Sequence, residues 1–181
     1  QAHRQIAAEK SSVLDEHDVT AGEFVLMTAH RAENVDDRDR LADFLAGIDR
    51  VARELDYPVI YQIHPRTQER LDEFEIVVPE TIRLVEPLDF LDFLRLEDTA
   101  SLVITDSGGV QEEACILQTP CVTIRDSTER PETVTAGANV VVGTDPADIV
   151  GGARKQLAKA TDWEAPFGDG NAAERILDGI L

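Results

Sequence analysis

The sequence predicts an α/β fold: one parallel β-sheet with helices packed on both faces. Three observations predict it. Short β-branched and apolar runs recur along the chain, amphipathic helical stretches separate them, and the fourth run leads through a Ser-Gly-Gly turn into a helix. At 181 residues the chain suits a single domain spanning 1–181, and it shows no repeat, low-complexity tract or internal boundary.

The elements follow in order. His3 to about Glu16 reads as a helix. Phe24-Val25-Leu26-Met27-Thr28 is apolar enough for a strand buried on both faces. Residues 37–55 set Leu41, Phe44, Leu45, Ile48, Val51, Ala52 and Leu55 on one helical face. Val59–Ile63 is the second strand, and a short helix near Thr67–Leu71 follows it. Thr81–Val85 is the third strand, after which Pro87 opens a helix carrying Leu88, Leu91 and Leu94. Leu102–Thr105 is the fourth strand and Val110–Leu117 the helix after its glycine turn. Cys121–Ile124 and Asn139–Val142 are the fifth and sixth strands. Pro146 starts a helix with Ile149, Val150, Ala153 and Leu157 inward. The last helix runs from Ala172 to Ile180, with Asn171 as its cap and Glu174 as capping-box partner. The sequence resembles the Rossmann-like arrangement in this alternation.

Composition narrows the function classes. Asp plus Glu total 36 against 17 Lys plus Arg, a net charge of −19. A nucleic-acid partner wants a clustered basic surface, which is missing. The acids are spread along the chain rather than blocked into a tail, which favours halophilic adaptation, in which salt screens the self-repulsion, over an acidic partner-binding surface. No apolar run is long enough to span a membrane, and Gln1-Ala2-His3-Arg4 lack the apolar stretch of a signal peptide. Cys115 and Cys121 sit in apolar surroundings, and no Cys/His cluster has zinc spacing, so a cytoplasmic protein without a metal is expected.

In a parallel sheet, ligands bind beyond the carboxyl ends of the strands. Thr105-Asp106-Ser107-Gly108-Gly109-Val110-Gln111-Glu112-Glu113 lies there. Glycines let the backbone approach a ligand, and a helix N-terminus attracts phosphate. Ser107 adds a hydroxyl, and Glu113, about a turn further on, is placed to accept from ribose hydroxyls. A plain strand-to-helix turn would look similar, and the pattern is not G-x-G-x-x-G, which disfavours a dinucleotide.

Three further segments occupy the same edge. Arg125-Asp126-Ser127-Thr128-Glu129-Arg130-Pro131-Glu132 offers two arginines and two hydroxyls to a diphosphate or sugar, although such runs are usually solvated loops. Thr128 and Glu129 are candidates with Arg125 and Arg130. His30-Arg31-Ala32-Glu33-Asn34 supplies a histidine able to move a proton near neutral pH. Taken alone, His30 reads as structural, and Arg31, Glu33 and Asn34 as its loop. His64 is a weaker candidate, since Pro65 beside it opens a helix. Phe90 and Phe93 read as core, or as a wall against a base. Phe167-Gly168-Asp169-Gly170 reads as a turn before the last helix.

Ala29–Asn34, Glu86-Pro87-Leu88-Asp89-Phe90, Thr105–Ala114, Arg125–Glu132 and Phe167–Gly170, in this order, resemble the C-terminal half of the non-hydrolysing UDP-N-acetylglucosamine 2-epimerases. The resemblance covers nearly the whole chain. It implies one half of a GT-B-like two-domain enzyme, with the active site in the cleft, and assigns residues 1–181 to the UDP-binding domain. It implies that Ser107, Gly108 and Gly109 contact the diphosphate, that Glu113 holds the ribose and that Arg130 reaches the phosphates. Phe93 would lie near the uracil, and Leu88 would contact UDP through its backbone only. His30 matches the catalytic histidine. The implied reaction eliminates UDP from UDP-N-acetylglucosamine to give 2-acetamidoglucal, then adds it back to give UDP-N-acetylmannosamine, without a cofactor. The family's catalytic carboxylates belong to the other domain, so the chain alone is expected to bind UDP without turnover. A homodimer is expected of the complete enzyme, and a surface polysaccharide pathway is one destination for its product. Competing readings are a glycosyltransferase donor domain, a hydrolysing epimerase and a non-catalytic nucleotide-sugar sensor.

Overall fold

A computed structural model describes residues 2–164, 166–168 and 170–180. The strands are β1 (Val25–Thr28), β2 (Val59–Gln62), β3 (Ile82–Val85), β4 (Leu102–Thr105), β5 (Cys121–Thr123) and β6 (Asn139–Val141). They form one parallel sheet in the order β3-β2-β1-β4-β5-β6. The expected α/β architecture is therefore present. The strand order reverses direction between β1 and β4, which pair from Val25↔Leu102 to Thr28↔Thr105. Connections leaving these two strands diverge to opposite sides and open a crevice at their carboxyl ends.

Both sheet faces are covered, which explains why the strands are almost wholly apolar. Val25, Met27, Val59, Tyr61, Leu102 and Ile104 point to one face. There they meet helices α4 (Arg38–Leu55) and α9 (Pro146–Leu157), through Leu41, Phe44, Leu45, Ile48, Ile149 and Ala153. The alternate residues Leu26, Ile60 and Val103 face α6 (Phe90–Thr99), α7 (Gly108–Leu117) and α2 (Val13–Glu16). Each large apolar side chain buried this way contributes about 1.5–3 kcal/mol. At the α4–α9 crossing, a Cβ on Gly47 would stand 2.8 Å from Ile149 Cδ1 and 3.1 Å from Pro146 Cα. Only glycine lets these two helices come so close.

Several elements differ from the sequence expectation. The N-terminal helix is two pieces, α1 (Ala2–Lys10) and α2, because Ser11 turns its hydroxyl to Asp92, 2.6 Å away. Helix α5 (Pro65–Glu73) is longer than expected and starts at Pro65. Helix α6 starts at Phe90 rather than at Pro87: Asp89 caps it, accepting from the Leu91 and Asp92 amides at 2.9 and 3.0 Å. Pro87 and Leu88 belong to the approach. Two short helices were not expected, α3 (Ala32–Val35) and α8 (Pro131–Ala136). Gly108 and Gly109 are the first two residues of α7, not a turn before it, and neither has a positive φ.

Helix α10 (Ala172–Ile180) begins after Asn171, as expected, while the side chain of its capping partner Glu174 and residue Asp169 lie outside the described residues. Its Ile176 and Leu177 are exposed. No helix among the described residues is long and apolar enough to cross a membrane.

Candidate nucleotide-binding site

The switch point between β1 and β4 gathers most of the expected residues. Thr28 and Thr105 end the two strands, their hydroxyls 2.8 Å apart. Beyond them lies a cavity of about 250 Å³, walled by His30, His64, Pro87, Phe93, Ser107 and Val110 among others. His30 follows β1, His64 follows β2, Pro87 follows β3 and Ser107 follows β4.

The first turn of α7 forms the floor. A helix leaves its leading N–H groups without helical acceptors, and the Ser107 hydroxyl does not cap this one. The Ser107 amide donates to Thr105 Oγ1 at 2.9 Å, which fixes the turn from the strand side. Neither glycine is demanded by backbone conformation. A Cβ at Gly108 would meet nothing closer than 3.9 Å, from Arg130 and Glu129, and one at Gly109 only Ser107 Oγ at 3.9 Å. The bare glycine surface is therefore not filled by protein. Arg130 lies over Gly108, with its guanidinium paired to Glu112 and Nη1 donating to the Glu129 carbonyl at 3.0 Å.

His30 is held from behind by Asp106, a residue with no individual role in the sequence reading. Asp106 is fully buried. Its carboxylate accepts from the His30 amide (3.0 Å), the Arg31 amide (2.8 Å) and Asn34 Nδ2 (3.2 Å). The same carboxylate stands 3.5 Å from His30 Nδ1. This geometry assigns the proton of a neutral imidazole to Nδ1 and leaves Nε2 for the cavity. One residue earlier, the Ala29 carbonyl accepts from Tyr61 OH at 3.0 Å and Thr67 Oγ1 at 2.9 Å. Burial pushes the Tyr61 hydroxyl pKa far up, so it stays a donor. The His64 and His30 rings lie 5.6 Å apart. His64 also caps α5, its Nδ1 accepting from the Arg66 amide at 3.1 Å.

Other candidates turn out to build the site rather than face it. Asn34 is fully buried and bridges Asp106 to the Ile124 carbonyl, the latter at 2.9 Å. Arg125, only 7% exposed, is consumed by Glu33 and Glu129, each at 2.6 Å. This pairing raises the Arg125 pKa further and holds the Glu129 carboxyl down to about 2. Arg125 thus ties the loop after β1 to the loop after β5, its Nε and Nη1 donating to the two carboxylates. Thr128 gives its hydroxyl to Gln111 Oε1 at 2.5 Å and accepts from the Arg130 amide at 3.0 Å. Gln111 is fully buried and also accepts from Asn139 Nδ2 at 3.2 Å. Through it, the base of Arg130 is tied to α7. The Arg31 side chain is exposed, and only its amide joins the network.

Phe93 is half-buried on α6 and lines the cavity, while Leu88 packs on the same apolar cluster. Glu113 stands on α7 beside the buried Glu97 of α6. Asp106 and Gln111 lie inside the glycine motif itself, and the signal for Asp106 was its place at the end of β4, level with the residue before His30.

The whole chain, residues 1–181, matches the family model described as UDP-N-acetylglucosamine 2-epimerase. A UDP-N-acetylglucosamine 2-epimerase of Methanocaldococcus jannaschii is 46% identical over 159 residues, covering 86% of this chain and 43% of that protein. The crystal structure of the M. jannaschii UDP-GlcNAc 2-epimerase with UDP-GlcNAc and UDP superposes at a TM-score of 0.89. The two are 42% identical, with 99% of this chain and 51% of that one covered. The E. coli ADP-heptose LPS heptosyltransferase II shares the fold alone, at a TM-score of 0.58 and 14% identity, over 83% of this chain and 51% of that one. The chain spans about half the length of the relatives it matches. Strand order, the glycine-floored helix start, the flanking His30 and Arg130, and a match running from end to end agree, and the chain belongs to the UDP-N-acetylglucosamine 2-epimerase family.

Proposed function

We propose that this chain is the UDP-binding half of a non-hydrolysing UDP-N-acetylglucosamine 2-epimerase. The observation that carries the reading is the open glycine surface at the start of α7, flanked by Arg130 and facing His30 across the switch point. A diphosphate seated there takes hydrogen bonds from the free amides of the first turn and from Ser107, and it lies at the positive end of the helix dipole. Arg130 exchanges Glu112 for a phosphate oxygen. Glu113 accepts from the ribose hydroxyls, and Phe93 and the Leu88 backbone border the uracil.

The reaction follows from where charge develops. Loss of the proton at carbon 2 of the sugar and rupture of the bond from carbon 1 to the diphosphate oxygen give 2-acetamidoglucal and UDP. Return of a proton to the opposite face of carbon 2, with UDP adding back at carbon 1, gives UDP-N-acetylmannosamine. Negative charge grows on the leaving diphosphate, where preorganised amides and Arg130 stabilise it. His30 Nε2, aimed at the cavity by Asp106, is the proton-handling group of this half. The proton transfers at carbon 2 are assigned to carboxylates outside the chain, so UDP binding without turnover is expected of it.

Calorimetric titration with UDP, in molar potassium chloride and with ADP as control, tests the reading. Saturable binding that favours UDP is expected. Equal binding of ADP would overturn the uridine assignment, and no binding of either would overturn the site.

A further inference from the structure

Glu97 is the one fully buried acidic side chain besides Asp106 among the described residues. Asp106 is surrounded by N–H donors, whereas neither oxygen of Glu97 receives a hydrogen bond. Among the causes of its pKa shift no cation figures. From α1, Arg4 is spent on Asp98, 2.8 Å away. Helix α2 brings the apolar Val13, and β5 brings Cys121. The Thr119 hydroxyl goes to the Glu97 backbone carbonyl at 2.9 Å, not to its side chain. Helix α7 brings Glu113, whose carboxyl abuts that of Glu97, with Glu112 adding negative charge beside it.

An ionised carboxylate buried without a donor or cation costs several kcal/mol, and such a group stays protonated instead. Burial, with Glu113 and Asp98 close by, does push the Glu97 pKa well above the usual carboxylate range. A protonated carboxyl has one O–H to give. The acceptor beside it is Glu113. We propose that Glu97 is a positioning residue for the nucleotide: its buried carboxylic acid donates to the Glu113 carboxylate and sets that carboxylate's direction toward the ribose. This deepens the proposed function and rests on the assignment of Glu113 to the ribose. The two acids then hold one proton between them. Glu113 keeps its charge and free lone pairs for two hydroxyls, and it does not need a surface cation to fix its rotamer.

The test compares UDP with 2′-deoxy-UDP by calorimetry on the parent chain, Glu97→Gln, Glu97→Leu and Glu113→Gln. Glutamine keeps the shape and a donor, so Glu97→Gln should bind UDP within about threefold of the parent, while Glu97→Leu should lose roughly tenfold and much of the preference for the ribose hydroxyl. As pH rises and Glu97 loses its proton, the affinity ratio of parent to Glu97→Gln should fall; taking the ratio cancels the ionisation of UDP itself. Unchanged affinity and preference in Glu97→Leu, with both lost in Glu113→Gln, would overturn the role of Glu97 and leave the ribose assignment standing. Unchanged preference in Glu113→Gln would overturn the ribose assignment, and the role of Glu97 with it. Carbon-13 resonances of the Glu97 carboxyl give a readout that does not depend on ligand, and an ionised Glu97 at neutral pH would also overturn the proposal.

Discussion

Replacing Asp106 by asparagine changes one atom of a buried group that four neighbours address. Three N–H donors, the His30 and Arg31 amides and Asn34 Nδ2, reach its Oδ2 between 2.8 and 3.2 Å. An asparagine whose oxygen occupies that position keeps all three bonds but makes them neutral. The drop from a charge-assisted to a neutral bond is about 1 kcal/mol each, so the variant should lose about 3 kcal/mol of stability. Its NH₂ group then stands where Oδ1 was, facing His30 Nδ1. A donor there reverses the imidazole tautomer and moves the proton to Nε2. Urea denaturation reads the first effect and nitrogen-15 NMR of the histidine ring the second. Parent-like stability together with a retained Nδ1–H would refute the assigned role of Asp106.

Further outcomes follow from other sites. Gly108→Ala should leave stability unchanged or slightly raised, since a methyl there meets protein only at 3.9 Å, yet weaken UDP binding at least tenfold in calorimetry. Gly47→Ala should cost about 1–3 kcal/mol in urea denaturation, because the new methyl drives into Ile149 and the Pro146 backbone. Glu97→Gln should change the pH dependence of stability. The folded pKa of Glu97 is raised, so folding takes up a proton, and the stability this gives is complete below the ordinary carboxylate pKa and is lost as pH rises toward the folded value. Denaturation of the parent should therefore weaken relative to Glu97→Gln above about pH 5, by at most ~1.4 kcal/mol per pH unit. With a net charge of −19, the melting temperature should rise from dilute buffer to about 1 M potassium chloride, where the screening length shrinks to about 3 Å. A fall in scanning calorimetry would refute salt adaptation.

The sheet was legible because each strand is a contiguous apolar run, which burial on both faces requires. Helix ends were less so. Pro87 looked like a helix opener, but Asp89 outcompetes it by capping the Leu91 and Asp92 amides. Helix α8 escaped because Thr133, Val134 and Thr135 are poor helix formers. Only its flanks, Pro131 and Gly137 at a φ of 86°, mark it. The site motifs could be found because they follow strand ends. Their division of labour could not, because it depends on distant partners. Arg125 looks like a phosphate ligand until Glu33, 92 residues earlier, is seen to hold it. Asp106 looks like part of a turn until His30 is placed beside it.

The strand end beneath His30 is pinned from two sides: Tyr61 and Thr67 hold the carbonyl before it, and Asp106 holds the two amides that follow. The position of the imidazole is thus settled when the chain folds, before any sugar nucleotide arrives, and little orientational entropy remains to be lost on binding. Such a scaffold tolerates change unequally. Variation at Phe93 and Leu88, which lean on the apolar side of the cavity, can retune which base is accepted while the histidine stays in place. Variation at Tyr61 or Thr67, neither of which is expected to touch a ligand, would shift the proposed proton-handling group instead. Selection for a new nucleotide should therefore find its solutions on the α6 side of the cavity and leave the floor of β1 alone.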